Sequence, residues 1–252
     1  MFKKMMASMG VGAAKVDLQL EKDQFLPGEE VSGRIVITGG NVEQQIDGIR
    51  VFLMTEAVRE VNDRKVKERV ELKRYHVAQN ITIGEQEEKV VPFSVILPYQ
   101  TPVTMNRIPV WFETGLDIPR GLDPNDRDPI SVSAHPYVLN VLDAVEKELG
   151  FQMRKVEMEY SKRLGYVQEF EFYPGGEFRG HLDELELIFN FTGDGLDLFM
   201  QVDRKVRGLG SLFAEALEMD ESNVRLHLTE ADLKEGPKAL ARRLGELIRQ
   251  HI

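Results

Sequence analysis

FLPGEEVSGRIVI, residues 25–37, decides how this chain folds. Its proline and glycine, followed by branched aliphatics, admit two readings: a phosphate-holding loop, or a turn that feeds a strand. A phosphate loop needs a strand before it, a helix after it and backbone amides facing an anion. Here Val31, Gly33, Ile35 and Ile37 alternate as in a strand, two glutamates occupy the approach, and no lysine stands where such loops carry one. The turn reading explains more. Pro27 presets one central dihedral of a β-turn and Gly28 accepts the positive φ that a type II turn requires. Gly33, inside the strand, marks a bulge or a close backbone contact.

The same alternation spreads outward through Val16, Leu18 and Leu20, through Ile49, Val51 and Leu53, and through Phe93, Val95 and Leu97. Half-buried strands at such intervals suit a β-sandwich. Between Ile49 and Ile81 two long strand-like runs flank Asn62, Asp63 and Arg64, which predicts a long hairpin. Its far end, VNDRKVKERVELKR, is charged on both faces, as a solvated sheet edge is. As a docking ribbon it would offer Arg59, Arg64, Lys65 and Lys67 to a partner. The cluster DIPRGLDPNDRDP, residues 117–129, reads as an irregular connection before a strand in ISVSA.

After His135-Pro136 the period changes to that of an amphipathic helix, about 137–149, ending at Gly150. This sets a boundary near residue 134 and domains at 1–134 and 135–252. The second half returns to strands in RKVEMEY, YVQEFEFY, LDELELIFNF and LDLFMQVDRKV, the last two joined by Thr192-Gly193-Asp194-Gly195, a hairpin signal. A helix is expected over SLFAEALEM and a strand over VRLHL. A C-terminal helix, about 237–250, carries Leu240, Leu244, Leu247 and Ile248 on one stripe. That stripe packs on its own domain, or it offers Leu244, Leu247 and Ile248 to a partner. Two strand-rich halves of similar size permit a duplicated sandwich.

A net charge of −10, with both halves acidic, argues against nucleic acid or an anionic membrane as partner. The absence of cysteine removes disulfides, thiolate zinc sites and cysteine nucleophiles, and a reducing cytosol fits it. No apolar run is long enough to span a bilayer. The start, MFKKMMASMGVGAA, imitates a weak signal peptide, but its glycines interrupt the apolar stretch, and it reads as a lead-in segment. The five histidines have no metal-ligand spacing, and no GxSxG occurs. Asp117, Asp123, Asp126 and Asp128 are the metal candidates, because clustered carboxylates suit a hard cation such as calcium. Their spacing is not that of an EF-hand, and capping or pairing with Arg120 and Arg127 is the plainer reading. Arg179, Asp183, Glu184, Asp203 and Arg204 form a weaker acid–base candidate, against which ordinary ion pairing weighs more. No cofactor is implied. The residues themselves thus describe a mostly β protein without a catalytic constellation and name no biological role; the charged ribbon, acidic loop and terminal amphipathic helix suit a protein-binding adaptor, and a cation- or small-ligand-binding module at Asp117–Asp128 is the alternative.

Several stretches carry a family resemblance. FKKMMASMGVGAAKVDLQLEKDQFLPGEEVSGRIVI, VWFETGLDIPRGLDPNDRDPI at 110–130, QEFEFYPGGEFRGHLDELELIF at 168–189 and VDRKVRGLGSLFAEAL at 202–217 resemble the sporulation-control protein family of endospore-forming bacteria. The proline-glycine turn and VVPFSVILPYQTP at 90–102 are similar to arrestin-type domains. The resemblance implies a predominantly all-β fold of two arrestin-like β-sandwiches in tandem, with a linker helix and a C-terminal helix. It further implies a cytoplasmic regulatory role affecting entry into sporulation, without a known catalytic activity, and an N-terminus that stays uncleaved. Exposed sheet edges make a homodimer an additional expectation.

Overall fold

The computed structural model describes residues 13–61, 64–118, 125–161, 164–204 and 221–252. The chain divides into two compact units: Met1–Ala57 with Lys67–Ser133, and Val58–Val66 with Ala134–Ile252.

In the first unit, β1 (Lys15–Leu20), β3 (Glu30–Thr38) and β6 (Glu88–Ile96) form an antiparallel sheet with β3 in the middle. The other sheet runs from β4 (Gln44–Val61) to β7 (Val110–Asp117), then β8 (Asn125–Val132), then the short parallel β2 (Gln24–Phe25). β5 (Arg64–Ile83) pairs with β4 to complete the long hairpin. The core lies between the sheets. Val31, Ile35 and Ile37 of β3 are buried with Ile49, Val51 and Leu53 of β4, and Phe93 meets Phe112 edge to face, 5.8 Å between ring centres.

The opening stretch is a strand connection. The Glu29 N–H donates to the Leu26 carbonyl (3.1 Å) across Pro27-Gly28, and Gly28 has φ +85°. Its own N–H donates to Leu97 (2.8 Å), which ties the turn to the end of β6. At Gly33 a Cβ would lie 2.4 Å from the Gln19 carbonyl oxygen, so this glycine marks a close backbone contact with β1.

Residues 125–129 differ from the irregular connection expected of them. They are the first half of β8, with Asp126 opposite Thr114 and Asp128 opposite Phe112. Pairing along β7 overrides the turn preference of Asn, Asp and Pro, a preference that in strands depends strongly on context. Residues 119–124, including Asp123, lie outside the described residues. Trp111 points away from the Phe112 side of β7 and is nevertheless buried. Guanidinium groups cover it: Arg127 lies 4.0 Å and Arg69 5.4 Å from the ring centre. Arg69 also pairs with Glu113.

In the second unit β9 (Gln152–Ser161), β10 (Gly165–Tyr173), β11 (Leu182–Phe191), β12 (Gly195–Arg204) and β13 (Glu221–Thr229) make one antiparallel sheet in that order. The end of the hairpin belongs with it through Val58, which pairs in parallel with Glu159. No second sheet occurs among the described residues of this unit; helices supply the remaining elements. α1 (Pro136–Asp143) starts at His135, whose Nδ1 accepts from the Tyr137 N–H, and it continues as a π-helical turn to Glu148. α2 (Glu230–Lys234) is capped by Thr229 and Asp232 in a reciprocal pair. α3 (Pro237–Arg249) begins at Pro237 and packs on α1 and the π turn. The expected helix over SLFAEALEM lies outside the described residues.

The α3 stripe takes the first of its two expected places, on its own unit. Leu240, Leu244 and Ile248 are buried and Leu247 is half-buried, so Leu244 and Ile248 are not open to a partner in this arrangement. The stripe meets the hydrophobic need of its own unit.

Candidate functional site

Strand alternation sorts the second-unit sheet into an apolar and a polar face. On β10, Phe170 and Phe172 enter the core while Glu169 and Glu171 turn the other way. Cross-strand register then sets their neighbours. Glu157 and Lys155 of β9 stand opposite Glu169 and Glu171, Ile188 of β11 stands opposite Glu169, and Phe199 and Arg225 continue the row across β12 and β13. These strands line a groove of about 520 Å³.

The hairpin end contributes its basic residues at one rim. Lys65 Nζ lies 3.3 Å from Glu159 and 3.7 Å from Glu157, and Arg59 lies over the Tyr160 ring at 4.9 Å. Arg64 and Lys67 are exposed. Of the four hairpin residues singled out in the sequence, two are thus engaged with β9 and two face solvent.

The electrostatics are uneven. Burial, reinforced by the Glu159 carboxylate, pushes the Glu169 carboxyl up to about 7. Burial also works against charge on Glu157, but its hydrogen bond with Lys155 wins and holds it below its ordinary value. For Lys155 burial would lower the pKa; Glu157 and Glu159 outweigh that and raise it.

The acid–base candidate is only partly assembled. Glu184 and Asp203 stand opposite each other on β11 and β12. The Arg154 guanidinium bridges Glu184 (2.7 Å) and Glu171. Burial, then the neighbouring Glu171, lifts Glu184 to about 7. Asp183 is exposed at a register shift, Arg179 lies before β11, and the Arg204 side chain is outside the described residues. This arrangement clamps two carboxyl groups, Glu171 and Glu184, to one guanidinium. Sequence reading missed Arg154, Glu169 and Glu171 because only cross-strand register brings them to this face. The alternation in RKVEMEY and QEFEFY was their available signal.

Of the aspartates proposed for a metal, Asp117 and Asp126 have other partners, and Asp126 and Asp128 lie two residues apart on one face of β8. Asp117 pairs with Arg50 (3.0 Å), and Asp126 accepts from the Leu18 N–H (2.9 Å), satisfying an edge amide of β1. Asp128 Oδ2 is buried and accepts no hydrogen bond among the described residues. No group of three or more His, Asp or Glu side chains arranged to hold a metal occurs among the described residues. Burial, then Asp126 and Asp17, pushes Asp128 up to about 7. Because its unfolded-state value is about 3.9, the folded chain keeps a proton that the unfolded chain releases between these values. Its contribution to stability is therefore full below about pH 4 and is lost as pH rises through about 7. Asp128→Asn is expected to be more stable than the parent at pH 8, with a smaller decline between pH 4 and 7. Urea denaturation at both ends of that window checks this, and a loss of stability at pH 8 would contradict it.

Residues 2–206 match the family model described as SpoOM protein. The sporulation-control protein spo0M of Bacillus subtilis (strain 168) is 41% identical over 255 residues, spanning 99% of this chain and 98% of the relative. The chain belongs to the SpoOM family. The crystal structure of Spo0M, sporulation control protein, from Bacillus subtilis superposes with a TM-score of 0.84 at 37% identity, covering 96% of this chain and 100% of that one. The predominantly β fold is therefore that of a solved SpoOM-family structure. No helix among the described residues is long and apolar enough to cross a membrane.

Proposed function

We propose that this chain is a non-catalytic cytoplasmic regulator that works through protein–protein contacts in the control of sporulation or a related stress response. Its full-length similarity to a sporulation-control protein supports the regulatory role. The observation that carries the contact mechanism is β5. This strand runs for 20 residues, pairs with β4, and has no described strand on its other side. Val66 on it is 48% exposed, beside exposed Arg64, Lys65 and Lys67. A long edge of this kind accepts an added strand, with backbone hydrogen bonds giving affinity and neighbouring side chains giving selectivity. A second copy of the chain is one such partner, which the expectation of a homodimer anticipates. The working domain division remains 1–134 and 135–252, with Val58–Val66 of the hairpin grouped with the second domain.

Complementation in the native host separates contact from chemistry. Arg64→Glu/Lys67→Glu/Lys73→Glu, which changes exposed charge on β5 alone, is expected to fold and to fail in regulation. Glu184→Gln, which removes one carboxyl of the Arg154-clamped pair, is expected to complement fully. A folded Glu184→Gln variant that fails, beside an edge variant that succeeds, would reverse the assignment.

A further inference from the structure

The groove on the polar face of the second-unit sheet has a chemistry that the edge mechanism does not use. We propose that it is a docking site for a lysine- or arginine-bearing extended segment of a partner protein. This rests on the reading that the chain acts through protein contacts, but it places one contact in the groove and not on the β5 edge.

Charge complementarity selects the occupant. Among the described charged groups lining the groove, Glu159 is already paired with Lys65 and Lys155 and the Arg225 guanidinium with the buried Asp197 (2.7 Å), so the acidic character that selects a cation centres on Glu169. Val167 and Ile188 line it as well and provide apolar surface for a lysine or arginine stem. The chain itself displays this chemistry at the rim. Lys65 sits between Glu157 and Glu159, and Arg59 covers Tyr160, so carboxylates and an aromatic ring together hold basic groups borne on a strand. A further basic segment in the groove would repeat that arrangement one strand deeper, at Glu169.

The groups around Glu169 are Glu157, Glu159 and Lys155 of β9, Glu171 of its own strand, Glu186 and Ile188 of β11, and Lys65 of the hairpin. An incoming cation favours the ionised carboxylate, so binding releases a proton where Glu169 was protonated. Affinity therefore rises with pH through about 7, by about tenfold between pH 6 and pH 8.

The test titrates the full chain, at low salt, with a capped peptide of alternating lysine and valine, a glutamate–valine counterpart and spermidine, read by calorimetry. The expected result is saturable one-to-one binding of the lysine peptide alone. Glu169→Gln, which keeps shape and removes the charge, is expected to weaken it about tenfold and to abolish its pH dependence, while Glu88→Gln on β6 leaves it unchanged. No binding, equal binding by Glu169→Gln, or equal binding of the glutamate peptide would overturn the proposal. Spermidine binding as tightly as the peptide would overturn it in favour of a small-cation site. Lysine-peptide binding that survives Arg64→Glu/Lys67→Glu/Lys73→Glu, in a chain whose edge variant still regulates normally, would sink the edge mechanism and leave the groove standing.

Discussion

Replacing Leu244 by alanine is expected to cost about 2–5 kcal/mol of stability. Leu244 is 1% exposed in the middle of α3, on the stripe with Leu240, Ala241 and Ile248, and the helix packs there on α1 and the π turn. Gly245 beside it allows a close approach, since a Cβ there would come within 3.2 Å of the Leu149 side chain. Removing the leucine methyls therefore leaves a cavity between helices that cannot fully collapse. Arg242 is on the exposed face of the same helix, and its alanine variant is expected to stay within about 0.5 kcal/mol of the parent. Urea denaturation followed by circular dichroism compares the two. Equal, small effects would mean that the stripe does not serve the core and is available to a partner after all.

Trp111→Ala is expected to cost about 3–5 kcal/mol, as deletion of a fully buried large aromatic does. The ring is 0% exposed, yet it lies on the face of β7 opposite Phe112, covered by Arg127 and Arg69. Each guanidinium over the ring adds electrostatic attraction to its quadrupole and excludes water through its alkyl stem. Arg127→Ala, which uncovers one face, is expected to cost about 0.5–2 kcal/mol. It should also shift tryptophan emission to the red, and Trp111 is the sole tryptophan, so the signal is unambiguous. An unshifted spectrum would show that Arg127 does not shield the ring.

The parts of the fold that the sequence announces are those set by local chemistry. Pro27-Gly28 is a turn because its dihedrals are nearly dictated by the two residues, and Thr192 to Gly195 closes a hairpin, with the Thr192 N–H donating to Gly195 (3.0 Å). The α3 stripe was visible from its period, although period alone leaves open what covers it. What stayed hidden depends on register. Glu169 and Arg154 look like ordinary charges until β9 and β11 bring Glu159, Glu171 and Glu184 beside them. Trp111 breaks strict alternation because arginines from β5 and β8 bury a face that the pattern assigns to solvent. Asn125–Pro129 read as a loop because their side chains favour turns, and the β7 ladder decides otherwise. Four aspartates close in sequence suggested one cation site. Arg50 engages Asp117 and the Leu18 amide engages Asp126, while Asp126 and Asp128 remain neighbours on one face of β8 and Asp123 lies outside the described residues.

On the proposed function, the exposed edge of β5 engages a protein partner. The most direct test is quantitative crosslinked capture from growing and starved cells of the native host, comparing the parent chain with Arg64→Glu/Lys67→Glu/Lys73→Glu. The expected result is a defined partner whose recovery changes with starvation and falls at least about tenfold with the edge variant, as loss of steering and register charges at an interface does. Undiminished recovery of that partner by a folded edge variant would contradict it.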